Sequence, residues 1–484
     1  MAKRALLATA LVLLLVGCGA DGADSGAARD ERPRSNAEAP DTGGDTSTSD
    51  DPRSTFAVDI DTASYGYARR QILDGRRPDP SLVRPEEFVN AFDQDYAEPE
   101  GDGFAVRVDG SRPPAAHEPG GDVRVMRVGL QTRGESDAAR PDATLTFVVD
   151  VSGSMAEPGR LDLVTDALHT LVDRLRPSDA VAIVAFSGEA QVVREMTRVA
   201  DADSLHGAID ELRIGTSTNL DDGLRLGYRV ARDGFRPETS NRVVVLSDGL
   251  ANTGSTDPEE ILSRVREEAA KEIALLGVGV GSEYGDELME RLADGGDGFV
   301  VYVSELDQAR DVFVRRLPST LAVRALDAKV QVTFAPTTVA MYRLIGYENR
   351  AVADEQFRDD EVDGGEVGPG HSVTALYAVR LAEGARPTDE VARVDVRWLD
   401  PTNRRPDEAY ASVRVSDLDG SFEAAQPRFW VAYAAAYLAE DLRGESHEVA
   451  LADLARIAGR AADRTEDPAV RQLADLVHRA DRLR

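Results

Sequence analysis

The sequence predicts an α/β protein in which a Rossmann-like, doubly wound, mostly parallel sheet is inserted between β-rich flanking segments and followed by a helical C-terminal region. Three observations carry this expectation. Between residues 143 and 317 short apolar runs alternate with amphipathic helical stretches, which implies parallel strands covered on both faces. Residues 104–131 and 326–416 instead alternate apolar and polar side chains with a period of two, broken by Gly and Pro clusters. From residue 427 onward apolar positions recur at helical spacing. A chain of 484 residues is long enough for several such units.

Taken in order, Lys3 and Arg4 precede an apolar run over 5–16 that is too short to span a bilayer comfortably, so residues 1–17 read as an export signal peptide. It ends in Leu15-Val16-Gly17-Cys18, which resembles the lipobox of bacterial lipoproteins. That resemblance implies a lipid anchor at Cys18 and an exported protein held to the cell membrane on its extracytoplasmic side. Cys18 is the single cysteine, so an internal disulfide is excluded. Residues 18–53 are rich in Gly, Ala, Asp, Ser, Thr and Pro without an aromatic residue and are expected to form a disordered tether.

Residues 54–142 open with a short strand and two helices, with Phe88, Val89 and Phe92 at helical spacing, before the first β-rich stretch. Over 143–320 the strand candidates are 145–149, 180–186, 242–247, 273–280 and 299–303. The helix candidates are 161–175, 204–212, 221–232, 258–271, 283–292 and 306–316. Residues 321–420 return to β alternation, and 421–484 form the helical region. The two β-rich regions are expected to pack as one sandwich around the inserted domain. The aromatic stripe Phe429, Trp430, Tyr433 and Tyr437 is expected to be the buried face of a helix.

Hydrophobic residues make up 42% and charged residues 30% of the chain, a globular composition. A net charge of −31 argues against binding nucleic acid and against electrostatic adsorption to anionic lipid. A partner should be neutral, basic or bridged by a cation.

Asp150-Val151-Ser152-Gly153-Ser154 follows the apolar run at 145–149 and precedes a helix. A carboxylate and two hydroxyls thus meet at the carboxyl end of a buried strand, where open α/β sheets form their ligand crevice. Oxygen side chains concentrated there suit a hard divalent cation. A rigid site needs ligands from further loops, and two segments supply them. Residues 215–224 put hydroxyls before a helix, and residues 243–249 put Asp248 at a strand end.

These three segments resemble the von Willebrand factor type A domain and its metal-ion-dependent adhesion site. Carried over by position, Ser152, Ser154 and Thr218 would be direct ligands, with Asp150 and Asp248 holding coordinated waters. Thr216 is the alternative to Thr218, which fits the family's register. Neutral hydroxyls around the ion would leave it much of its charge and one exchangeable position, to be filled by an Asp or Glu of a partner protein. The site suits Mg2+, with Ca2+ or Mn2+ as substitutes. Residues 56–65, 83–90, 342–350 and 370–377 resemble the bacterial YfbK-type von Willebrand A lipoproteins over nearly all of 54–484. The chain departs from that pattern at 248–254 and at Gly215-Thr216, both expected to rim the metal.

Other motifs carry less. Asp59-Ile60-Asp61-Thr62 is reminiscent of an aspartyl-phosphate nucleophile but has Ala63 at the fifth position, so it reads as a turn and cap. Asp359, Glu361 and Asp363 begin like a calcium loop whose twelfth position is Gly370, not Glu. The six histidines show no zinc spacing. The resulting expectation is a cell-envelope protein, not an enzyme, that binds an envelope or extracellular protein through a divalent ion. A metal-dependent hydrolase and an inert structural scaffold are the alternatives.

Overall fold

The computed structural model describes residues 44–117, 121–134, 140–248, 258–280, 292, 299–303, 323–360, 362, 364–401, 403–445 and 449–483. The described chain opens with β1 (Thr46–Ser47), β2 (Arg53–Ala57), α1 (Ala63–Leu73), α2 (Pro85–Asn90), β3 (Phe104–Ser111) and β4 (Val123–Thr132). The end of the expected tether is therefore folded. Thr46 and Ser47 pair with Tyr342 and Met341, and the buried Thr48 hydroxyl donates to the Val339 carbonyl. Thr46 and Ser47 complete a sheet edge that composition alone does not reveal.

The inserted domain follows as β5 (Ala143–Asp150), α3 (Leu161–Val172), β6 (Ala180–Phe186), β7 (Ala190–Arg198), α4 (Ala202–Ile209), α5 (Leu220–Asp233), β8 (Ser240–Ser247), α6 (Pro258–Ala269), β9 (Ile273–Val280) and β10 (Phe299–Val303). Its sheet runs β10-β9-β8-β5-β6-β7 and is parallel except for β7. Both faces of β5 are buried because its side chains alternate. Ala143, Leu145, Phe147 and Val149 pack with Leu168, Leu171 and Leu205 under α3 and α4. Val148 packs on the other side with Leu224, Ile261 and Leu262 of α5 and α6. Strand β7 was not expected. Its half-exposed residues follow no clean alternation, as befits an edge strand wet on part of both faces. The expected helices at 283–292 and 306–316 lie outside the described residues, Leu292 apart.

The chain continues with β11 (Ala325–Phe334), β12 (Val339–Ile345), β13 (Gly365–Val367), β14 (Ser372–Leu381), β15 (Glu390–Leu399), β16 (Pro406–Arg414), α7 (Pro427–Arg443), α8 (Leu451–Thr465) and α9 (Pro468–Asp481). Two antiparallel sheets form the expected sandwich. One is ordered β1-β12-β14-β4-β3; the other is β13-β11-β15-β16, with β2 also paired to β11. Strands before and after the insertion thus pair directly, as with Val128 opposite Ala375 and Phe56 opposite Val330.

Strand β4 again shows the period of two. Met126, Val128 and Leu130 face the sandwich core with Val330, Val332 and Val394, whereas Val125 joins the helical cluster. That cluster is built on α7, whose aromatic stripe is buried as expected. The Trp430 indole N–H donates to the Phe422 carbonyl at 2.7 Å, and the Tyr433 hydroxyl lies 2.7 Å from His117 Nδ1. Among the described residues no helix is long and apolar enough to cross a membrane.

Candidate metal centre

The centre sits at the carboxyl edge of the parallel sheet. Strand β5 ends at Asp150, and the chain turns there because Val151 N–H bonds the Phe186 carbonyl at the end of β6. Asp150 is fully buried. Its Oδ1 accepts from the Ser152 N–H at 2.8 Å and its Oδ2 from the Ser247 hydroxyl at 2.6 Å, which ties the ends of β5 and β8 together. Burial raises its pKa; the two hydrogen bonds oppose that shift, and the neighbouring Asp248 charge adds to it.

Ser152 and Ser154 present their hydroxyls 3.0 Å apart, and the Ser154 hydroxyl donates to Asp248 Oδ1 at 2.9 Å. Adjacent corners of an octahedron with metal–oxygen distances of 2.0–2.1 Å lie about 2.8–3.0 Å apart. The two serine hydroxyls already have that spacing, and Asp248 stands behind Ser154 at hydrogen-bond distance, so the residues fit a hard divalent ion. Ser154 is exposed while Asp150, Ser152 and Asp248 are buried beneath it, so the site opens on one side.

The third loop is held against the first. Gly215 N–H bonds the Val151 carbonyl and Asn219 N–H the Ser187 carbonyl, both at 2.6 Å, so Thr218 is carried between the ends of β5 and β6. Thr218 is buried and Thr216 exposed, which favours the residue expected from the register. The close approach needs Gly215, since a Cβ there would lie 2.4 Å from Ser187 Oγ. Asn219 caps α5 by accepting from Asp222 N–H. The loop expected to rim the metal after Asp248 lies outside the described residues.

Sequence reading missed Arg160. Its buried guanidinium bonds Asp248 Oδ2, donates to the Ser154 carbonyl at 3.1 Å and pairs with Glu157 at 2.7 Å. Asp248 is thus neutralised on one oxygen while the other faces the serines. The available signal was a cation at the start of α3, where the helix dipole disfavours positive charge unless an anion compensates.

The motifs set aside resolve differently. Asp59 and Asp61 are buried, both paired with Arg350, and Asp61 Oδ1 accepts from Val300 N–H at 2.8 Å, a structural role at the edge strand β10. The Asp359 loop already holds a cation, because the buried Lys329 ammonium donates to the Asp359 and Val362 carbonyls; Glu361 and Asp363 lie outside the described residues. Among the described residues no three His, Cys, Asp or Glu side chains are arranged to hold a metal, so a centre here depends on hydroxyl ligands.

A parallel sheet with a hydroxyl-and-carboxylate site at its carboxyl edge defines a von Willebrand factor type A domain, and that family's model matches residues 144–315. A model described as von Willebrand factor matches residues 35–119, and one described as uncharacterized protein YfbK, C-terminal, matches residues 319–483. Together the three models match most of residues 35–483, in the order of a von Willebrand factor segment, a type A domain and a YfbK C-terminal region.

It is 32% identical to the uncharacterized protein YfbK of Escherichia coli (strain K12) over 373 residues, 75% of this chain and 64% of that protein. It is 31% identical over 170 residues to inter-alpha-trypsin inhibitor heavy chain H3 of Homo sapiens, 33% of this chain and 19% of the relative. The chain therefore spans less than two thirds of either relative's length. Among solved structures, von Willebrand factor type A from Catenulispora acidiphila shares 16% identity at a TM-score of 0.47, covering 78% of this chain and 91% of that chain. Domains of this type generally serve as interaction modules and typically bind a divalent metal at the adhesion site.

Proposed function

We propose that the chain captures a protein partner through a divalent ion held by Ser152, Ser154 and Thr218, with Asp150 and Asp248 acting through coordinated waters. The observation that supports this most is the pair of Ser152 and Ser154 hydroxyls 3.0 Å apart, a separation that suits adjacent ligands of one ion, with Asp248 behind them in hydrogen bond to Ser154. With Asp248 neutralised by Arg160 and the ligands uncharged, the ion keeps the positive charge needed to attract a partner Asp or Glu. Mg2+ is the ion best suited, since it favours octahedral oxygen sites that retain waters. Binding through the metal also explains how a chain of net charge −31 accepts an acidic ligand.

Cys18 is read as the lipid anchor and the folded part as facing the extracytoplasmic side, on the strength of the residues before it. In crosslinking pull-downs from envelope extracts, the wild-type chain should retain a partner with Mg2+ and lose it with chelator, and Ser154→Ala should lose it in both conditions. Capture that is indifferent to chelator and to Ser154→Ala would defeat this reading. Turnover of phosphoesters abolished by Asp248→Ala would instead support a hydrolase, and metal-dependent stability without metal-dependent capture would support a scaffold.

A further inference from the structure

Two histidines with no zinc-type spacing meet in the fold. His169 lies on α3 and His206 on α4, which pack side by side on one face of the parallel sheet. Their Nδ1 atoms are 2.7 Å apart, with ring centroids 4.9 Å apart and planes 21° from parallel. The centroid separation equals the Nδ1–Nδ1 distance plus about one ring width. The rings therefore meet edge to edge, and their Nδ1 lone-pair directions converge on one point between them.

Each far nitrogen faces a carboxylate: His169 Nε2 lies 3.3 Å from Asp210 Oδ1, and His206 Nε2 lies 3.2 Å from Asp173 Oδ1. The two Nδ1 atoms face each other at 2.7 Å, so an electropositive atom between them would bond both. A carboxylate behind the non-ligating N–H is the arrangement that orients metal-bound histidines and raises their basicity. It occurs here twice, around one point.

We propose that His169 and His206 form a second metal site, in which a divalent ion of the Zn2+, Ni2+ and Cu2+ class sits between the two Nδ1 atoms. One ion enters, both Nδ1 lone pairs become ligands, and any proton held between them leaves to solvent. Because the two lone pairs face each other nearly head-on, a tetrahedral ion with metal–nitrogen distances of 2.0–2.1 Å needs the nitrogens to part to about 3.3 Å and the rings to tilt until both lone pairs point at the ion. Side chains that are 30% and 27% exposed, on separate helices, can rotate that far, and the exposure also lets the ion in.

The protein supplies two ligands and water the rest, in keeping with the absence of a third convergent metal ligand among the described residues. Imidazole pairs prefer these borderline ions, whereas the hydroxyl centre suits hard Mg2+, so the two sites select different metals.

Titration calorimetry of the tag-free chain with Ni2+ and with Zn2+ tests this. The expected result is one bound ion per chain and no displacement by excess Mg2+. His169→Ala and His206→Ala should each abolish that binding, Asp210→Asn should weaken it roughly tenfold, and Ser154→Ala should leave it unchanged. His206→Gln, with circular dichroism of each variant, separates loss of the ligand from loss of the fold. Undiminished Ni2+ and Zn2+ binding in folded His169→Ala and His206→Gln, or no binding by the wild-type chain, would overturn the proposal.

Discussion

Glu86 is a buried carboxylate whose Oε2 accepts the Tyr347 N–H at 3.0 Å. Burial, followed by the charges of Asp59 and Glu348, pushes its pKa up to about 7. A folded-state value above the unfolded one means the native state holds a proton that the unfolded chain has released. Glu86 therefore lowers stability as pH rises from about 4.5 to 7, and the loss is complete above that window. Glu86→Gln keeps an acceptor for Tyr347 without the charge. Its melting temperature should exceed wild type at pH 8, by up to about 3 kcal/mol in unfolding free energy, and the difference should vanish near pH 4. Arg160 makes the opposite case. Removing it strands the buried Asp248 charge, and breaking such a pair costs about 3–5 kcal/mol. Arg160→Ala should melt well below wild type in chelator, and Mg2+ should raise its melting temperature more than it raises that of wild type, because the ion restores positive charge beside Asp248.

At the scale of elements, the sequence predicted best where both faces of a strand are buried. The runs at β5, β6, β8, β9 and β10 were legible because a parallel strand leaves no room for polar side chains except at its ends, and one such end is Asp150. The edge strands β1 and β7 were not legible: β1 is two residues long, and β7 mixes exposures because its partner lies on one side. For the site, hydroxyls and carboxylates at strand ends could be found from spacing, while Arg160, and the meeting of His169 with His206, depend on how α3 and α4 pack. Helix α5, which carries Thr218's loop, sits close to the sheet. A Cβ at Gly227 would lie 2.3 Å from Val148 Cγ2, whereas one at Gly207 on α4 would meet nothing within 4 Å. Helix propensity alone favours replacing either glycine by about 1 kcal/mol. Gly207→Ala should accordingly stabilise by about 0.5–1 kcal/mol. Gly227→Val should destabilise by about 1–3 kcal/mol, because overpacking against β5 outweighs the propensity gain; denaturant unfolding of the two variants decides the signs.

For the molecule as a whole, the insertion creates a coupling problem, since a von Willebrand factor domain set between β2–β4 and β11 must be held against the sandwich. Part of the answer lies in the segment after β2. Asp61 accepts the Val300 N–H of edge strand β10, which removes an open pairing group from that edge, and Arg350 from the turn after β12 pairs with both Asp59 and Asp61. One guanidinium, 14% exposed, therefore links the N-terminal segment, the inserted sheet and the sandwich. Arg350→Ala should leave two buried carboxylates without that cation, and the resulting repulsion falls on the junction rather than on either core. The variant should lose more than about 3 kcal/mol. The loss should appear as uncoupling: amide exchange at Val300 should rise ahead of exchange at Val148 in β5, and the thermal transition should broaden or split relative to that of wild type. A variant with an unchanged transition and unchanged Val300 protection would show that the junction is held by packing alone.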